Sequence, residues 1–202
     1  MEEIKFSKNN IYKKDLKEVQ KILKSGWLTH GKYTKYFERD FCKFTGSKYA
    51  SVVSNCTAGL HLTCVAMGFK KNDEVIVPAQ THVATAHAIE YTGAKAVFAD
   101  INLYDGNINI DSIKSKITKK TKGIIIVHFA GYPCEINKIL NICKKYNLKL
   151  IEDCAHALGT YYKKRHVGNF GDAGVFSFYP TKQITTGEGG MVITNSKKIF
   201  SS

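Results

Sequence analysis

The chain has 202 residues, 44% of them hydrophobic and 23% charged, which is enough for one sizeable core and too polar for a protein built within a bilayer. Its net charge of +13 comes mostly from lysines in short scattered runs such as Lys119-Lys120, Lys144-Lys145 and Lys163-Lys164, with arginine only at Arg39 and Arg165. That placement fits a solvated surface better than a nucleic-acid-binding stripe.

No apolar run approaches bilayer-spanning length, and Met1-Glu-Glu-Ile-Lys-Phe6 lacks the basic-then-apolar layout of a secretory signal. Six cysteines (Cys42, Cys56, Cys64, Cys134, Cys143, Cys154) show no paired Cys-x-x-Cys spacing, so they read as reduced small hydrophobes. A cytoplasmic protein with no metal site and no membrane or nucleic-acid partner is the expectation.

In chain order, Asp15 to Leu23 places Leu16, Val19, Ile22 and Leu23 on one helical face, stopped by Gly26. Tyr33, Phe37, Phe41 and Phe44 mark a second helix, ended by Gly46. Tyr49–Val53 is a β-type run, followed from Thr57 to Met67 by a nearly all-apolar helix that should be buried. Glu74–Val77 is the next strand, roughly His82 to Tyr91 the next helix, and Ala96–Ala99 a third strand. Asp111 is placed to N-cap a short helix carrying Ile113 and Ile117.

Gly123–His128 is a continuous apolar run of the kind found in strands covered on both faces. Ile136, Ile139, Leu140 and Cys143 give a helix ending near Asn147, and Leu148–Glu152, Ala173–Phe178 and Gly190–Thr194 complete seven strands. The predicted fold is an open, mostly parallel α/β sheet, which collects ligands at the carboxyl ends of its strands. The last two strands are joined without a helical pattern, which allows that pair to be antiparallel.

The chemistry-bearing residues lie at those strand ends. Lys182 follows the run Phe176-Ser-Phe-Tyr-Pro-Thr, with Gly187, Gly189 and Gly190 behind it allowing close backbone approach. Asp153 follows an earlier strand. Lysine and carboxylate together are what pyridoxal 5'-phosphate needs, an amine for its aldehyde and an acid that keeps its ring nitrogen protonated. The alternative for Asp153 is a helix N-cap or an internal salt bridge.

Thr57 and Ala58 open the apolar helix after the turn Ser54-Asn55-Cys56, where free N–H groups and the helix dipole suit a phosphate; a plain cap is the other reading. Ser177 is either a phosphate ligand or a core-edge hydroxyl. His82 is either a flat imidazole over a heteroaromatic ring or a structural residue. His156 is either a donor to the cofactor's phenolic oxygen or a satisfied interior histidine. His61 and His87 read as packing or surface residues, and His128 has no assigned role.

These residues and their neighbours resemble the DegT-type (DegT/DnrJ/EryC/StrS) sugar aminotransferases, a branch of the fold-type-I, aspartate-aminotransferase-like enzymes. The resemblance runs through Ser25-Gly-Trp-Leu-Thr-His-Gly31, Ser54–Ala58, Asp73–Pro78, Thr81-His-Val-Ala-Thr85, Gly93–Val97, Ile151–Asp153, Phe176–Lys182 and Thr186–Gly190. It implies a pyridoxal phosphate-binding large domain over residues 1–202, with an N-terminal helical segment (1–46) and a sheet core (47–195), and a C-terminal small domain that is absent.

It further implies that Lys182 forms the Schiff base, Asp153 pairs with the pyridinium nitrogen and His156 approaches the phenolic oxygen. Thr57, Ala58 and Ser177 would hold the phosphate, and His82 would stack on the ring. Cys56 stands where relatives commonly carry glycine. The implied reaction moves an amino group from an amino acid, glutamate by resemblance, to a nucleotide-linked keto-deoxysugar, in a homodimer when full length. Related sugar dehydratases replace the lysine by histidine, and Lys182 departs from them. A cofactor-binding fragment without activity is the alternative.

Overall fold

A computed structural model of the chain describes residues 7–202; Met1–Phe6, on which the reading of the leader rested, lie outside the described residues. Seven strands form one sheet: β1 (Tyr49–Val53), β2 (Glu74–Pro78), β3 (Lys95–Ala99), β4 (Thr121–Val127), β5 (Lys149–Asp153), β8 (Ala173–Ser177) and β9 (Gly190–Thr194). Their spatial order is β1-β9-β8-β5-β4-β2-β3. β2, β3, β4, β5 and β8 run parallel, while β9 is antiparallel to both β8 and β1.

The parallel strands are apolar because both faces are covered. Ile124, Ile125 and Ile126 of β4 are fully buried, alternating between the two core clusters on either side of the sheet. One side is closed by α3 (Cys56–Ala66) and α4 (Val83–Glu90). The other carries α2 (Lys32–Thr45), α5 (Ile110–Lys116) and α6 (Ile136–Tyr146). Phe37 and Phe41 of α2 meet Phe178 at ring-centroid distances of 5.0 and 5.8 Å, and Phe41 also meets Phe176 at 5.1 Å. This aromatic cluster ties α2 to the strand that leads to Lys182.

Several local expectations differ from the structure. α3 is not wholly buried: Leu60 and Cys64 are enclosed, but Leu62 and Val65 are exposed, because only one face meets the sheet. α1 (Lys13–Ser25) buries none of its residues, and its apolar Leu16, Val19 and Leu23 face outward. Asn109, not Asp111, caps α5 by accepting from the Ser112 N–H at 2.9 Å. A hairpin without an apolar signature pairs β6 (Tyr161–Tyr162) with β7 (Arg165–His166) through Lys163 and Lys164, both at positive φ. A last helical turn, α7 (Lys197–Phe200), stacks Phe200 on Tyr49 at 4.8 Å. Among the described residues, no helix is long and apolar enough to cross a membrane.

Candidate active site

The carboxyl ends of the parallel strands open onto a cavity of about 500 Å³. Thr57, His82, Asp153, His156, Ser177 and Lys182 all line it, together with Asn55, Cys56, Thr81, Tyr179 and Glu188. Ala58 does not. It faces a neighbouring groove with Ser54, Leu62, Gly189 and Gly190, and its N–H is already taken by Asn55 Oδ1 at 2.8 Å.

β5 extends one residue further than its apolar run indicated, so Asp153 is the strand's last residue and lies deep in the site, only 4% exposed. Its carboxylate accepts from Thr85 Oγ1 at 2.9 Å and from the Ala155 N–H at 3.0 Å. None of the ion pairs among the described residues involves it. Burial pushes its carboxyl above the usual range, opposed by those two hydrogen bonds and by His156 and Lys182. An enclosed acid without an ion-pair partner is suited to a cationic ring nitrogen.

Lys182 sits in the loop after β8, where its N–H donates to the Tyr179 carbonyl at 2.9 Å. Among the contacts that tie this loop to distant parts of the chain, Gln183 Nε2 donates to the His156 carbonyl at 2.7 Å, and Asn9 Nδ2 donates to the Pro180 carbonyl at 2.5 Å. His156 is half-buried, and burial together with the nearby Lys182 lowers its pKa below the usual 6.5, leaving a neutral imidazole near pH 7. His82 is the N-cap of α4: its Nδ1 accepts from the Ala84 N–H at 3.2 Å, which leaves the ring at the cavity wall.

The corner suited to an anion is the N-terminus of α3. Its N-cap is Asn55, and Thr57 lies in the first turn, with Ser177 across from it at the end of β8. Gly190 makes this arrangement possible, because a Cβ there would stand 2.7 Å from the Asn55 carbonyl carbon and 2.8 Å from the Cys56 nitrogen. Burial, and then the charge of Asp153, push the Cys56 thiol well above its ordinary value, so it contributes a neutral wall. The donor set therefore fits pyridoxal phosphate: an amine, an enclosed carboxylate and a helix N-terminus converge on one cavity of suitable size.

Residue patterns did not reveal Thr81, Thr85, Asn55 or Gln183 as parts of the site. Thr81 and Thr85 lay within one matched block, but nothing local shows a helix threonine reaching across to a strand. The partner of His128 was also missed. His128 Nε2 is 3.0 Å from Glu152 Oε2, and Glu152 also accepts from the N–H groups of Gly168, Phe170 and Gly171 at 2.7–2.8 Å. His128 and Glu152 lie within 4.8 Å of Cys154 as a metal-ligand-like group. These hydrogen bonds already occupy Glu152's oxygens, and His128 Nδ1 accepts from the Cys134 N–H at 3.2 Å.

Comparison with known proteins places these features in context. The model of the DegT/DnrJ/EryC1/StrS aminotransferase family matches residues 9–201. GDP-perosamine synthase of Escherichia coli O157:H7 is 45% identical over 188 residues, covering 93% of this chain and 52% of that protein. The structure of Helicobacter pylori PseC, an aminotransferase involved in the biosynthesis of pseudoaminic acid, superposes with a TM-score of 0.92 at 37% identity, over 99% of this chain and 54% of that one. The E. coli GDP-4-keto-6-deoxy-D-mannose-3-dehydratase with bound hydrated PLP gives 0.92 at 32% identity, over 96% of this chain and 52% of that one. The chain spans about half the length of the curated relatives it matches.

Proposed function

Because this chain belongs to the DegT/DnrJ/EryC1/StrS aminotransferase family, we propose that its protein is a pyridoxal phosphate-dependent aminotransferase acting on a nucleotide-linked keto-deoxysugar. The amino donor in this reading is an amino acid, glutamate by resemblance. The observation that carries it is the convergence of Lys182 and the enclosed, ion-pair-free Asp153 on one cavity. Support for the sugar acceptor comes from the GDP-perosamine synthase and PseC likenesses.

Bound in the cavity, pyridoxal phosphate supplies an aldehyde for amines and a ring that withdraws electrons from the carbon bearing the amino group. Asp153 holds the proton on the ring nitrogen. Lys182 would offer Nζ as the amine for the aldehyde and would be the group to carry a proton from the donor's α-carbon. Thr57, Ser177 and the N–H groups of Cys56 and Thr57 would bind the phosphate. His82 covers the ring, and neutral His156 donates to the phenolic oxygen. Lys182 also separates this reading from the dehydratase one, which by family resemblance has histidine at that position.

The complete protein is proposed to work as a homodimer in the cytoplasm. The exposed Leu62 belongs to a groove that also holds Leu28 and shares Glu188 with the cavity, so a second copy seated there would border the site. A second reading is a fragment that binds cofactor without turnover.

One experiment tests both. Adding pyridoxal phosphate should give a visible absorbance band, and borohydride reduction followed by peptide mapping should place the label on Lys182. Absence of an adduct on folded protein rejects the cofactor assignment. Glutamate should then bleach the band, and a band that persists favours the fragment reading.

A further inference from the structure

Thr85 is fully buried on α4 and breaks the habit of the other enclosed helix threonines. Thr45 and Thr63 donate to the carbonyls of Phe41 and Gly59 one turn back in their own helices, at 2.8 and 2.7 Å. Thr85 instead donates out of its helix to Asp153 Oδ2 at 2.9 Å, and its oxygen lies 2.7 Å from Thr81 Oγ1. An ionised carboxylate only accepts, so the Thr85 proton is committed to Asp153 and Thr81 must donate to Thr85. With the Ala155 N–H on Oδ1, both oxygens of Asp153 are held by donors from different elements.

We infer that Thr85 is a positioning residue for the proposed cofactor site, fixing the rotamer of Asp153 and favouring its ionised form, with Thr81 orienting the Thr85 hydroxyl from the cavity wall. This rests on the pyridoxal phosphate reading above. Protonation of Oδ2 would place a second donor against Thr85 and force the hydroxyl chain to reverse, so the directed chain favours the charged acid. A protonated ring nitrogen is bound by that charged form.

The test compares pyridoxal phosphate with its 1-deaza analogue, in which carbon replaces the ring nitrogen, by titrating binding to the purified protein and to Thr85→Val and Thr85→Ser. Thr85→Val preserves shape and removes the donor. It should weaken pyridoxal phosphate by about tenfold, the size of one hydrogen bond to a charged group, and leave the deaza analogue unchanged or tighter. Thr85→Ser should restore the natural affinity. Equal weakening of both ligands, or none, overturns the inference, since a merely structural threonine would not distinguish them. Failure of the unsubstituted protein to bind pyridoxal phosphate overturns the cofactor reading itself, a result separable from any ratio between variants. Should Thr85→Val fail to fold, Thr81→Val carries the same comparison, with a smaller selective loss expected and an equal effect on both ligands counting against the chain.

Discussion

Glu152 and Asp153 are consecutive carboxylates at the end of β5, both enclosed, and their surroundings drive them in opposite directions. For Glu152, burial would raise the pKa, but the hydrogen bond with His128 and the N–H groups of Gly171 and Gly168 outweigh it and hold the carboxyl below its usual range. For Asp153, burial outweighs two hydrogen bonds and the influence of His156 and Lys182. Alternation along the strand sends one acid into the loop that packs under the sheet and the other into the cavity.

Glu152→Gln should lower stability by about 3 kcal/mol, because its amide end turns donors toward the N–H groups that the carboxylate accepts from. Urea unfolding checks this, and an unchanged midpoint removes Glu152 from the structural account. In the natural protein the depressed pKa gives stability present above the ordinary carboxylate value of 4.5 and lost as pH falls through the lower folded value.

Asp153→Asn should have the opposite sign in the ligand-free protein. A raised folded pKa means that this acid's contribution is most favourable below its unfolded value of 3.8 and is lost as pH rises through the folded value. At pH 7 the asparagine variant should therefore unfold at higher urea than the natural protein, with the gap closing as pH falls. The same variant should lose the stabilisation that added pyridoxal phosphate confers. A variant less stable at pH 7 would refute the sign.

Gly190→Ala should push Asn55 and Cys56 off β9, since a methyl group there has no room against their backbone. The expected cost is about 1–3 kcal/mol in unfolding. Binding of pyridoxal phosphate should weaken more than binding of pyridoxal, which lacks the phosphate. Equal effects on the two ligands would dissociate Gly190 from the anion corner.

Leu62→Glu should convert the proposed dimer to monomer in analytical ultracentrifugation, because it places a charge on an exposed apolar face of α3. A dimer that survives this substitution locates the contact elsewhere.

The central strands β2, β4, β5 and β8 were legible because burial on both faces favours apolar runs, and Lys182 and Asp153 because they follow such runs. The bond from Thr85 to Asp153 was not, since its partners are 68 residues apart and threonine is a common helix residue. The outward face of α1 was misleading for a related reason: its period marks an apolar stripe, and a stripe does not reveal what covers it. The hairpin at Tyr161–His166 had no signal because two-residue strands leave no alternation to read.

The position of β9 orders events during synthesis. β1 is made early, yet among the described residues its only sheet neighbour is β9, so it waits through well over a hundred residues for its hydrogen-bonding partner. Gly190, against which the start of α3 closes, arrives in that same strand. The nascent chain can therefore pair its parallel strands in turn, but the start of α3 closes against the sheet only when β9 has left the ribosome and inserted between β1 and β8.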